Sequence, residues 1–181
     1  MLEAVQRTPG QALLRSRLAK RYLLLKDYDL AAEQYTYFVK LESDNAAGWN
    51  NLGVCYSKLE RFEKATWAIE NAVNCDPRML SAYLNLAYAY EKRGNLTAAS
   101  QVIENAVSIS FASSEKIRLY DSLARLYFMQ KKYNLALEKI ENALKLAPGG
   151  SELWKYLQNR REYVLHATGG KQQSDADQTL P

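Results

Sequence analysis

The chain is 181 residues long, 48% hydrophobic and 24% charged, which is the composition of an ordinary folded protein with a core of its own. Its formal charge of +4 is too small to argue for nucleic acid or for an acidic partner. No run of about eighteen apolar residues encodes a membrane span, and the start, Met1 to Arg7, lacks the basic-then-apolar order of a secretory leader.

Thr8-Pro9-Gly10 reads as a turn that precedes the first helix. A small residue then recurs at Ala31, Ala65, Ala99 and Ala136, at intervals of 34, 34 and 37 residues. Tyr35, Ile69, Ile103 and Ile140 follow it by one helical turn, on the same helix face. A tyrosine precedes each alanine by nine residues, at Tyr22, Tyr56, Tyr90 and Tyr127. Ahead of these tyrosines stand three further series: Arg15, Trp49, Tyr83, Tyr120; Leu18, Leu52, Leu86, Leu123; and Ala19, Gly53, Ala87, Ala124. Trp49, Leu52, Gly53 and Tyr56 share one helix face, and the small residue lets two helices approach closely.

These slots, at a period near thirty-four residues, resemble the tetratricopeptide repeat, a helix–turn–helix unit, over roughly residues 12 to 150. The resemblance implies an all-α fold: a right-handed α-solenoid of four helix hairpins, about 12–45, 46–79, 80–113 and 117–150, after an N-terminal segment 1–11. Arg15 replaces the expected aromatic, and Phe38 stands where the siblings carry Ala72, Ala106 and Ala143, so the first repeat reads as a divergent terminal one.

Within repeats, Asp29, Thr97 and Asn134 are expected to N-cap the second helices, with Tyr28, Phe62, Leu96 and Tyr133 stapling the turns. Gly94 suits a left-handed helix end. Asp76-Pro77 and Pro148-Gly149-Gly150 are stops. The three extra residues of the last interval fall near Ser110 to Ser114 and read as a longer spacer between helices. Beyond Gly150 the register continues at Trp154 and Leu157, then turns polar at Gln158 and Arg161. Residues 151–166 are therefore expected to form one capping helix, and 167–181, rich in Gly, Gln, Ser and Asp, a disordered tail.

No Gly-rich phosphate loop or nucleophile elbow is present, and His166 has no triad partner, so the chain reads as non-enzymatic and without a cofactor. Cys55 and Cys75 both fall on slots expected to face inward, as small buried thiols rather than a metal or disulfide site, and a cytoplasmic location follows.

Function should then lie on the first-helix slots that packing leaves free, since the resemblance implies that these line a concave groove for an extended peptide or a partner's helix. Two after the aromatic slot come Arg17, Asn51, Asn85, Ser122 and Tyr156. Five after it stand Lys20, Val54, Tyr88, Arg125 and Asn159, and nine after it Leu24, Lys58, Lys92, Met129 and Tyr163. Asn51 and Asn85 are expected as a two-rung ladder for a peptide backbone, because an amide both donates and accepts. Lys20, Lys58, Lys92 and Arg125 would add charge for an acidic segment, Tyr88 a flat apolar surface, and Ser122 a further polar contact.

One branch of the family grips the C-terminal carboxylate of heat-shock chaperones with Lys and Asn, then Asn, then Lys and Arg. Those slots here read Ser16 and Lys20, Asn51, Ser81 and Asn85; only Asn51 matches, which disfavours that partner. Small bacterial secretion or pilus-assembly chaperones of similar length remain an alternative. A nucleic-acid adaptor is a weaker one, resting on Arg15, Arg17, Lys20 and Arg21 and on Lys155, Arg160 and Arg161. A homodimer through the terminal helices is also open, with Trp154 or the Phe38 region as an uncovered edge.

Overall fold

The computed structural model describes residues 9–109 and 111–176, with side chains from Gly10 through Thr168. Among the described residues are nine α-helices and no strand. They are α1 (Pro9–Leu24), α2 (Tyr28–Leu41), α3 (Ala46–Lys58), α4 (Phe62–Cys75), α5 (Leu80–Lys92), α6 (Leu96–Val107), α7 (Ser113–Met129), α8 (Tyr133–Leu146) and α9 (Glu152–Ala176). The chain divides into two compact units, Met1–Asn95 with α1 to α5 and Leu96–Pro181 with α6 to α9.

The recurring slots hold each unit together. In the first, Ala31, Ala65, Ala68, Ile69 and Ala72 are wholly buried, with Tyr35 and Leu52 almost so. Gly53 sets the approach of α3 to α4: a Cβ built on it would lie 2.2 Å from Ile69 Cγ1 and 3.2 Å from the Ala65 carbonyl oxygen. Gly48 makes room for Phe38 in the same way, at 2.5 Å from Cε1. Phe38 is thus no open edge; it is buried among Val39, Leu52 and Ala31 in the core of the first unit. In the second unit Ile117, Ala143, Ala147 and Leu157 form a core against which Trp154 packs, so Trp154 too is covered by its own chain.

The turns within repeats share one geometry. Lys26, Glu60, Gly94 and Lys131 all adopt positive φ, at 61°, 57°, 78° and 60°. The next residue of each donates its N–H to the carbonyl of the repeated tyrosine, Tyr22, Tyr56, Tyr90 or Tyr127, at 2.9 Å. This is the doubly bonded left-handed helix end that glycine favours, carried here by Lys or Glu in three cases of four.

Several expectations shift by a residue or two. Pro9 opens α1 rather than preceding it, as the fixed φ of proline allows at a first helical position. Asp29, Thr97 and Asn134 lie inside the first turns; the cap of α2 is Asp27, whose Oδ1 accepts from Leu30 N at 3.2 Å. Tyr28, Phe62, Leu96 and Tyr133 are themselves first helical residues. The three extra residues mostly lengthen a helix: α7 has 17 residues against 13 for α3 and α5, with Glu115 accepting from the Ala112 N–H in front of it. Cys55 is buried, whereas Cys75 is exposed at the end of α4, where the helix has outrun its partner. The helix after Gly150 runs on to Ala176, ten residues past His166, because the polar residues there are no helix breakers; residues 177–181 of the expected tail lie outside the described residues.

Candidate functional site

Six of the eight residues singled out, Lys20, Asn51, Lys58, Asn85, Tyr88 and Lys92, belong to the first unit, and Ser122 and Arg125 to the second. In the first unit α3 and α5 bring three of them together. Tyr88, 44% exposed, stands beside Lys92, whose ammonium lies 5.5 Å from the ring centroid. With Lys58, Ser57, Glu60 and Phe62 they line one cleft of about 310 Å³. The rings offer apolar surface and the ammonium groups offer charge-assisted donors to a carboxylate. Lys20 stands exposed on α1, outside that cleft.

The asparagines are arranged differently from a ladder. Asn85 Nδ2 donates to Asn50 Oδ1 at 2.9 Å, and Asn50 is buried on α3. The pair ties α3 to α5 and leaves Asn85 only part of its hydrogen-bonding capacity. Asn51 is half-buried beside Tyr35, whose hydroxyl is buried and makes no hydrogen bond. Burial, and then the neighbouring Cys55, push Tyr35 up to about 12; the Asn51 amide opposes that shift without closing a bond of normal geometry. Burial also pushes the Cys55 thiol up to about 12, so neither group is a nucleophile near neutral pH. Sequence reasoning missed Asn50 because its slot faces a neighbouring first helix, a contact that the spacing of one repeat does not reveal.

A second hollow lies on the outer side of α1 and α2, where Arg15 and Lys40 both stand over Tyr37, at 4.8 and 5.6 Å. Arg15, in the aromatic slot, also donates to the buried Gln34 Oε1 at 2.7 Å.

In the second unit Arg125 does line a cavity, of about 370 Å³, between α7 and α9. Its other walls are Phe128, Tyr156, Asn159, Arg160, Tyr163 and Val164. Tyr156, Asn159 and Tyr163 occupy the same free slots that singled out Asn51, Tyr88 and Lys58. The signal was present in the sequence, but α9 was read only as a cap. Ser122 is half-buried on α7, outside this cavity. Among the described residues no group of three or more His, Cys, Asp and Glu side chains is placed to hold a metal ion, and no helix is long and apolar enough to cross a membrane.

The hydroxyls of the tyrosine slot reach back to a glutamate of the preceding second helix. Tyr90 Oη donates to Glu70 at 2.7 Å, and Tyr127 Oη bonds Glu104 likewise. In α9 the slot holds Arg161, which pairs with Glu141. One inter-helix geometry therefore runs through both units. Two family models, each described as a tetratricopeptide repeat, match residues 16–75 and 80–113, together more than half of the chain. The chain belongs to the tetratricopeptide repeat family.

Curated relatives include BBSome complex member BBS4 of Bos taurus, 30% identical over 132 residues, 73% of this chain and 25% of that protein. The small glutamine-rich tetratricopeptide repeat-containing protein 2 of Saccharomyces cerevisiae is 26% identical over 67% of this chain and 32% of its own length. The chain thus spans a quarter to a third of these relatives. Among solved structures, MamA superposes with a TM-score of 0.68 at 22% identity, covering 80% of this chain and 82% of that one. A thermophilic tetratricopeptide protein of Thermus thermophilus gives 0.65 at 21%, covering 90% and 85%. The fold is an all-α tetratricopeptide solenoid, a family whose members generally act as scaffolds for protein–protein interaction.

Proposed function

We propose that this protein is a non-enzymatic adaptor that holds an extended peptide or partner helix of another protein against the first helices of its repeats. The observation that carries this reading is the cleft of the first unit, where an exposed Tyr88 is flanked by Lys58 and Lys92. An exposed aromatic with one cation over its ring and a second at the rim suits an acidic segment, whose carboxylates meet the lysines while its apolar atoms cover the tyrosine. Asn51 and the unused part of Asn85 add polar contacts beside it. A cytoplasmic setting accords with Cys55 and Cys75 both being free thiols.

The test is capture of partners from the native source by the wild-type chain and by a Lys58→Ala/Tyr88→Ala/Lys92→Ala variant with the same melting temperature. A protein retained by the first and lost from the second supports the reading. Identical captured sets would rule out the cleft as the binding surface.

A further inference from the structure

The cavity between α7 and α9 has features that its neighbours lack. Phe128 and Tyr163 face each other with ring centroids 5.4 Å apart and planes tilted by 42°, and Phe128 is held from behind by Tyr133, also at 5.4 Å. Val164, buried, closes the floor. Yet Tyr163 is 65% exposed and Tyr156 46%, so two rings of an aromatic wall stand open to solvent. Exposed tyrosines around a concavity mark protein interaction sites more often than they mark anything else on a surface. About 370 Å³ lies at the small end of the roughly 300–1,000 Å³ of ligand pockets, a size suited to one side chain and its flanking backbone.

Two guanidinium groups stand at this pocket. Arg160 Nη1 donates to Tyr156 Oη at 2.9 Å and lies 3.2 Å from Asp121 Oδ1, and Arg125 reaches along α7 to Met129 Sδ at 3.6 Å. Both guanidinium groups pull on the Asp121 carboxyl, although its burial still raises its pKa on balance. Two cations against one carboxylate leave the pocket positive. Guanidinium forks favour carboxylate, and Asn159 adds an amide able to pair with peptide backbone.

We propose that the α7–α9 pocket is an anchor site for an acidic peptide segment, taking one aromatic or branched aliphatic side chain between Phe128, Tyr156 and Tyr163 while flanking carboxylates meet Arg125 and Arg160. The proposal rests on the scaffold reading above and gives it a partner chemistry. A nucleic acid strand is less suited, because the cations of α9 are already matched among the described side chains: Lys155 to Glu152, Arg160 to Asp121 and Arg161 to Glu141. That described stretch of the helix offers no open basic track for a phosphate backbone to follow.

The test is fluorescence anisotropy on the full chain with the fluorescein-labelled peptide Gly-Ser-Asp-Glu-Phe-Asp-Glu-Ser. Its companions are the same peptide with alanine for phenylalanine, the same peptide with lysine for each acidic residue, and a labelled twelve-residue uridine strand. The first peptide is expected to bind at a micromolar Kd, with each peptide companion weaker by about tenfold or more. Tyr163→Ala and Arg125→Gln should each weaken it about tenfold with unchanged helical circular dichroism, and a Lys58→Ala/Lys92→Ala variant should bind it as wild type does. Loss in the lysine variant alone would overturn the pocket while leaving the scaffold reading intact. Absence of peptide binding up to millimolar concentration overturns the pocket, and the scaffold reading is then decided by the capture experiment. Binding of the uridine strand that Tyr163→Ala abolishes, with no peptide binding, overturns it in favour of nucleic acid.

Discussion

Replacing Gly53 with alanine tests the close helix approach on which every repeat depends. The added Cβ would sit 2.2 Å from Ile69 Cγ1, well inside the 3.0 Å that real Cβ atoms essentially never breach, and 3.2 Å from a backbone oxygen. Ile69 is wholly buried and β-branched, so it has no free rotamer to move into. Overpacking of this kind costs about 1–3 kcal/mol, and the severity of the contact puts Gly53 near the upper end. Against it stands the helix propensity of alanine over glycine, worth about 1 kcal/mol. A net loss of about 2 kcal/mol is expected, lowering Tm by about 4–8 °C in a chain of this size. The assay is a thermodynamic cycle by thermal or urea unfolding. Ile69→Ala alone should cost about 2–5 kcal/mol, and the double variant should cost at least about 1 kcal/mol less than the sum, because the new methyl fills the space vacated. Additive losses, or a Gly53→Ala protein as stable as wild type, would show that the two helices are not held apart by this contact.

Two further outcomes follow from the turns and the thiols. Lys131→Gly should raise stability by up to about 1 kcal/mol, measurable in a melt, because Lys131 holds a φ of 60° that costs an L-residue about 1–2 kcal/mol, while glycine gives back part of that in the unfolded chain. At pH 8 a disulfide reagent should label Cys75 at once and Cys55 only after unfolding. Cys55 titrates from 9.0 up to about 12 on folding; its raised value adds stability that is full below pH 9 and lost as pH rises toward 12, so Cys55→Ala should flatten the alkaline limb of a stability–pH curve.

Packing was legible in the sequence because it repeats. Ala31, Ala65, Ala99 and Ala136 are all wholly buried, and a single period was enough to place them. Helix ends were less legible for a physical reason. Gly94 announces a left-handed residue by its chemistry, whereas Lys26, Glu60 and Lys131 adopt the same conformation because tertiary packing imposes it on them. The caps were sought two residues late at Asp29, Thr97 and Asn134, since three polar residues just inside the helices imitate caps. Asn50 could not be found from one repeat, because its partner Asn85 lies 35 residues away on the neighbouring first helix.

Arg161 shows how the scaffold and the candidate site separate on one helix. Read from the sequence, a polar residue in the tyrosine slot marked the end of the packing pattern. In the structure it keeps the contact in another chemistry, reaching Glu141 as Tyr90 reaches Glu70 and Tyr127 reaches Glu104. Both partners of that ion pair are nearly half exposed, so it adds less than about 1 kcal/mol and works where water enters, as a hydroxyl in a dry interface would not. Leu157 and Val164, both buried, bear the apolar part of docking. With docking assigned to Leu157, Arg161 and Val164, the alternate slots Tyr156, Asn159 and Tyr163 are free of any packing duty. Their aromatic character, on a helix whose other exposed positions are largely charged or amide, is what a surface kept for a ligand would require.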